Sequence, residues 1–164
     1  YAAVVPDAGQ ARWLADLITG LADLPPGAVV RSDGPVRLVP ADGGLLPHLT
    51  VQQNLVRAHR VARERVPRAR AVEACQVRAS RCGLDEDVLK RYPYEITPGR
   101  RRLAGVARAL CAEAAVIVLE DAAGLPTWKV LLNLEHNPEL LRPALLLITA
   151  DGRRADGFKD LHHA

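Results

Sequence analysis

A chain of 164 residues and 17.8 kDa fits one domain and is long enough to bury about two-thirds of its unfolded surface, so it needs no disulfide or metal staple to fold. With 49% hydrophobic and 25% charged residues and no apolar run near the ~20 residues of a membrane span, the composition excludes a membrane-embedded or disordered chain. The net charge of +3, from 19 Arg and three Lys against 19 acids, identifies no partner by itself, and six aromatics are too few for a binding surface of stacked rings.

In chain order, Ala2-Ala3-Val4-Val5 reads as a short strand, Pro6-Asp7-Ala8-Gly9 as a loop, and Ala11 to Leu21 as a helix with Leu14, Leu17, Ile18 and Leu21 on one stripe. Pro25-Pro26-Gly27 breaks that helix. Ala28-Val29-Val30 and Val36-Arg37-Leu38-Val39 are short β-like runs on either side of Ser32-Asp33-Gly34-Pro35, which predicts a hairpin or an edge pair. Thr50 is placed to cap a helix through Leu55 to Arg65. Pro67 interrupts it or opens the next helix, which runs to Cys82 and stops at Gly83. Thr97 and Pro98 are a capping residue and a first-turn proline for a helix that carries Leu103, Val106, Ala107 and Leu110 on one face. Val116 to Leu119 reads as a buried strand closing on Glu120 and Asp121, Trp128 to Glu139 as a helix, and Leu145 to Thr149 as a second buried strand. Uninterrupted apolar strands alternating with helices predict an α/β fold: a mostly parallel sheet covered by helices, forming one domain with a helical subdomain inserted at about residues 50–97.

Cys75, Cys82 and Cys111 are odd in number and lack a C-x-x-C pair, which fits neither a disulfide framework nor a zinc site and points to a reducing, cytosolic setting. Between Arg57 and Arg81 there are eight Arg and two acids, Glu64 and Glu73. A solvated helix face is the first reading of that surplus, and contact with nucleic acid or anionic lipid is the second. The segment Val5 to Arg12 occupies the strand–loop–helix position where α/β proteins bind phosphate, yet it has one Gly, no Lys and a repelling Asp7. Glu120 and Asp121 at a strand end are placed either to hold Mg²⁺ and polarise water or simply to be solvated or to cap. Among the histidines, His59 lies in the Arg-rich helix, His136 in a polar stretch, and His162 and His163 at the terminus; none has Ser-His-Asp or Cys-His spacing.

In sequence order these pieces resemble the ATP-binding cassette, the nucleotide-binding domain of ABC transporters, over nearly the whole chain. Leu45-Leu46-Pro47-His48-Leu49-Thr50-Val51-Gln52-Gln53-Asn54-Leu55 is similar to the stretch after the family's Q-loop. Tyr92-Pro93-Tyr94-Glu95-Ile96-Thr97-Pro98-Gly99-Arg100 is similar to its signature segment and leads into a signature-like helix, 101–110. A Walker B-like strand ending in Glu120-Asp121 and a switch-like segment, Leu147 to Asp151, follow in family order. The resemblance implies a P-loop NTPase-like fold, ATP and Mg²⁺ as cofactors, and a membrane permease subunit or a second cassette as partner.

The departures from the family pattern are concentrated in the site. The P-loop glycines fall at Val5, Ala8 and Gln10, with Gly9 among them, the phosphate-binding Lys at Ala11, and the Mg²⁺-holding hydroxyl at Arg12, followed by Trp13. A guanidinium cannot ligate a cation. The Q-loop glutamine falls at Ala41 and the switch histidine at Ala150. Walker B carries its carboxylates in reversed order, with Glu120 at the metal side and Asp121, one methylene shorter, at the catalytic base. The signature appears as Thr97, Pro98, Gly99 and Arg100, in which Pro98 removes a backbone donor.

The resemblance with these departures implies a degenerate cassette, a pseudo-ATPase kept as a scaffold or regulatory partner at the cytoplasmic face of the plasma membrane. Two alternatives stand beside it: a cassette that still binds ATP and hydrolyses it slowly, with Arg12 or Arg100 supplying positive charge, and a basic module whose helices at 57–81 engage nucleic acid or acidic protein. Relative to the family, the chain is expected to be a trimmed core: the antiparallel β-subdomain before Tyr1 is missing and the β-arm between Gly20 and Leu46 is shortened.

Overall fold

A computed structural model describes residues 1–63, 65–133, 137, 140 and 142–159. Its four strands are β1 (Ala2–Val4), β2 (Val36–Val39), β3 (Val116–Glu120) and β4 (Ala144–Thr149), joined in one sheet of order β1-β4-β3-β2 in which every pair is parallel. The two apolar runs predicted as buried strands are its centre. Parallel strands need both faces covered, and the alternation along β3 supplies that directly: Val118 faces one layer, while Ile117 and Leu119 face the other.

The first layer is α1 (Ala8–Thr19), whose buried Ala11 and Ala15 let it lie close against Val118 and Ile148. The second layer is α5 (Pro98–Cys111), with Ala104, Val106 and Ala107 in one apolar cluster with Ile117, Leu119 and Leu147. On α5 rest α2 (Val51–Ala62) and α3 (Arg68–Arg81), followed by the short α4 (Glu86–Lys90) and a 3-10 turn at Pro93–Glu95. Val51, Leu55, Cys75 and Ala79 belong to the same cluster as α5 and the sheet, so the inserted helices and the sheet share one continuous core. The last helix, α6 (Trp128–Leu132), joins β3 to β4.

Helix starts follow the capping chemistry. Asp7, Thr50, Thr97 and Thr127 each accept a backbone N–H from the first turn of α1, α2, α5 and α6, and Thr50 with Gln53 forms a reciprocal capping box. Because Asp7 caps, α1 opens at Ala8, inside the stretch expected to be loop. Two helices end earlier than predicted. α2 stops at Ala62 rather than Arg65, and α6 stops at Leu132 because Asn133 turns into the left-handed region at φ 45°. The remainder of the predicted 128–139 helix lies mostly outside the described residues, as do Glu64, His136, His162 and His163.

The hairpin expected at 28–39 does not form. Residues 28–30 make no strand, Val29 is 70% exposed, and among the described residues β2 pairs with β3 alone, in parallel. The Pro35 carbonyl accepts the N–H groups of Ala115 (2.8 Å) and Val116 (3.3 Å), which seats β2 beside β3 without an antiparallel partner.

Candidate functional site

Since all four strands run the same way, their C-terminal ends lie along one edge of the sheet. The registers Val4 with Thr149, Ile148 with Glu120 and Leu119 with Val39 bring the Val5 loop, the Glu120–Asp121 pair, the Thr149–Asp151 turn and the Pro40–Ala41 turn to that edge. This is where a doubly wound sheet presents its ligand site.

At the start of α1 the local chemistry turns inward. Asp7 has extended backbone, and its Oδ1 accepts the Gln10 N–H at 2.8 Å, so one of the orphan donors that favours an anion at a helix N-terminus is already taken by the chain's own carboxylate. Ala8, Gly9, Gln10 and Ala11 form the first turn of a regular helix. Ala11 is buried against the sheet, while Trp13 is 54% exposed.

One turn further, Arg12 reaches across to β3. Its Nη1 donates to Glu120 Oε2 at 3.0 Å and its Nε to Asp16 Oδ2 at 3.2 Å. Partial burial disfavours the Arg12 charge, but the Glu120 and Asp16 carboxylates outweigh it and hold the guanidinium above its usual value. The residues expected at the metal side of the site therefore bond to each other.

Asp121 is enclosed more completely, with only 3% of its side chain exposed. Arg154 donates to both carboxylate oxygens, its Nη2 reaching Oδ1 at 2.8 Å and its Nε contacting Oδ2. Thr149 Oγ1 donates to Oδ2 at 3.0 Å, and Arg102 Nη2 lies 3.5 Å from Oδ1. Arg102 is fully buried: its guanidinium stacks 4.0 Å from the ring centre of Trp128 and donates to the Pro126 carbonyl. Burial pushes the Arg102 pKa down, whereas the hydrogen bonding of Arg154 to Asp121 raises the Arg154 pKa. Trp128 is itself fixed, since its indole N–H donates to the Glu120 carbonyl at 3.0 Å.

The remaining expected residues are used structurally. Thr97 Oγ1 caps α5 by accepting the Arg100 N–H, and Pro98 fills the first turn. Gly99 packs near Leu131, and Arg100 lies 3.8 Å from Asp85 in a solvated pair. Ala150 is exposed beside Asp151, which caps the 3-10 turn Gly152–Ala155. Ala41 opens a tight turn in which the Gly43 N–H donates to the Pro40 carbonyl. That turn is pressed onto α5: a Cβ on Gly105 would meet the Gly43 carbonyl at 2.5 Å, and Arg108 donates to the Gly44 carbonyl.

Arg102, Trp128 and Arg154 gather around Asp121 at this edge and are not picked out by the sequence. Arg102 looks like one of three consecutive arginines, and Arg154 lies 33 residues from the carboxylate it holds, so no local spacing joins them. The usable signal is the register of Arg102 within its helix, one position before the apolar stripe that begins at Leu103.

No protein-family model matches the chain. It is 32% identical over 103 residues to the carnitine transport ATP-binding protein OpuCA of Listeria monocytogenes, covering 58% of this chain and 25% of that protein. It is 30% identical over 112 residues to the glycine betaine uptake system ATP-binding protein YehX of Escherichia coli K12, covering 66% and 36%. With the thiamine import ATP-binding protein ThiQ of a Ruegeria species it shares 32% over 115 residues, 70% and 45% of the two chains. The chain thus spans less than half the length of these relatives. In structure it resembles cbiO1 of Clostridium perfringens, part of the cbiONQ ABC transporter complex, with a TM-score of 0.72 at 18% identity, covering 92% of this chain and 66% of the other. It also resembles the bacterial ABC transporter cassette MJ0796 in its dimeric structure, with a TM-score of 0.58 at 18% identity and coverages of 72% and 53%. The fold is that of ABC transporter cassettes, and the sequence is similar to their ATP-binding proteins.

Proposed function

We propose that this chain is a cassette-fold scaffold or regulatory element, one unit over residues 1–164, that does not hydrolyse ATP. The observation that carries the reading is the state of Asp121: the carboxylate at the expected base position is buried and held by two arginines and a threonine. A general base must be free to reach water and accept its proton, and a carboxylate with both oxygens held by guanidinium donors is a poor acceptor. The residues present do not fit Mg²⁺ either, because Arg12 stands where a hydroxyl ligand is expected and neutralises the Glu120 carboxylate. Asp7 at the head of α1 adds a negative charge where phosphate would sit.

The names of the relatives favour the partners. OpuCA and YehX are transport ATP-binding proteins, cbiO1 is part of a transporter complex and MJ0796 is a dimer. By analogy this chain docks on a membrane permease subunit, a second cassette, or both, at the cytoplasmic face of the plasma membrane. Among the described residues no helix is long and apolar enough to cross a membrane.

Calorimetry with Mg-ATP and a turnover assay test the reading. No saturable binding at micromolar nucleotide and no turnover is the expected result, while micromolar binding with turnover abolished by Asp121→Ala overturns it in favour of a slow ATPase. A second reading has its own observation: Arg57, Arg60 and Arg68 line a groove of about 640 Å³ between α2 and α3 with Val56 and Val72, a surface suited to an acidic protein segment. Salt-dependent retention of an acidic polypeptide, lost when these three arginines are neutralised, supports that reading; retention of nucleic acid instead favours a nucleic-acid module.

A further inference from the structure

We infer that Arg154 is a positioning residue that latches the segment after β4, residues 149–155, onto the end of β3 whether or not nucleotide is present. The inference rests on the non-hydrolysing reading and says how the region expected to act as a nucleotide-dependent switch is held instead.

The latch is built at one carboxylate. From β4, Thr149 donates its hydroxyl to Asp121 and receives the Asp151 N–H at 3.1 Å, which fixes the exit of the strand. One turn on, Arg154 reaches back to both Asp121 oxygens and, through Nη2, to the Leu125 carbonyl at 2.9 Å. From the opposite side Arg102 brings in α5, its own position set by Trp128 and the Pro126 carbonyl. Two segments distant in sequence, 149–155 and α5, therefore close on Asp121, which itself donates its backbone N–H to the Ile148 carbonyl at 3.1 Å. A segment can report on a ligand only if the ligand interacts differently with two of its arrangements. Here the side chains of Thr149 and Arg154 are spent on bonds to Asp121 within the protein, and the residue at the expected sensing position, Ala150, has no polar side chain to offer.

A guanidinium with two carboxylate contacts and a carbonyl is also not replaceable by any cation of the same charge. Its planar fork makes the paired geometry, which a lysine point charge satisfies only in part.

Hydrogen-exchange mass spectrometry on the full chain, with and without Mg-ATP, tests the latch in the wild type, Arg154→Gln and Arg154→Lys, with turnover measured on the same samples. In the wild type the exchange of 149–156 is expected to be the same with and without nucleotide. In Arg154→Gln it rises about tenfold or more in that segment while α2 and α3 keep their protection, and Arg154→Lys recovers part of the loss. Equal exchange of the segment in wild type and Arg154→Gln overturns the latch, as does a wild-type segment that becomes protected when Mg-ATP is added. Turnover of Mg-ATP by the wild type overturns the non-hydrolysing reading separately. If Arg154→Gln does not fold, Thr149→Val, which removes one tie to Asp121, carries the same comparison.

Discussion

Arg12 on the first turns of α1 bonds Glu120 at the end of β3 at 3.0 Å, tying the two elements between which an ABC cassette is expected to hold its metal and phosphates. The pair lies at the rim, with 46% of the Arg12 side chain exposed, and Asp16 shares the same guanidinium. Exposed pairs of this kind contribute about 0.2–1 kcal/mol. Arg12→Ser is therefore expected to lower Tm by no more than a few degrees, while titration of the neighbouring Trp13 fluorescence with Mg-ATP stays flat in both proteins. A saturable quench that disappears in Arg12→Ser would mean that the guanidinium binds nucleotide.

Asp121 should behave as a structural residue. Removing one partner of a buried charge cluster leaves uncompensated charge and typically costs about 3–5 kcal/mol. Asp121→Ala, which strands the buried Arg102, is expected to fall in that range, roughly a 10 °C drop in Tm for a chain of this size. A residue kept for catalysis gives the opposite pattern, since its removal commonly leaves stability unchanged or improved. Thermal melting of the one variant decides between the two roles.

The Gly43–Gly105 contact joins the turn after β2 to the middle of α5. A methyl group on Gly105 would meet the Gly43 carbonyl at 2.5 Å and Val39 Cγ1 at 2.8 Å, and rigid backbone gives way only at the cost of displacing the turn. Overpacking of this type costs about 1–3 kcal/mol, so Gly105→Ala is expected to lower the unfolding free energy read from denaturant titration by that amount without loss of secondary structure. A neutral result would show that the turn is not seated on the helix.

The thiols set an alkaline limit. Burial pushes the Cys82 thiol up to about 12 from an ordinary value of 9.0, so the folded protein keeps a proton that the unfolded chain releases in that interval. Because the native state binds more protons there, this contribution to stability is complete below about pH 9 and declines as pH rises toward about 12. Cys111 moves in the same direction, through its hydrogen bond with Cys75 and through burial, while Cys75 is lowered by that same bond. Cys82→Ala is expected to flatten the fall of Tm above pH 9 relative to wild type; an identical slope in both proteins would remove Cys82 as the cause.

What is legible in the sequence is local or periodic. β3 and β4 stand out as unbroken apolar runs, and Thr50, Thr97 and the Gly83 stop mark helix ends because capping is decided within four residues. The hairpin fails because exposed loops can share the residue types of strands: Val29 and Val30 have β-branched side chains, yet they do not add to the outer edge of β2, whose ladder is made with β3 on the other side. At the candidate site the missing groups at Ala11, Ala41 and Ala150 can be read off directly. What stands in their place cannot, because the Arg12–Glu120 and Arg154–Asp121 contacts span 108 and 33 residues and exist only once the parallel sheet has aligned its strand ends.

Asp7, as the cap of α1, carries one further consequence. A lysine at Ala11 would sit on the buried face of the helix while Asp7 still held the first-turn amide, and a hydroxyl at Arg12 would leave Glu120 without its counter-charge. Each such change alone loses a native contact before any ligand contact exists to replace it. On the scaffold reading proposed above, a nucleotide site would be regained only through several substitutions made together, with the Asp7 cap among them.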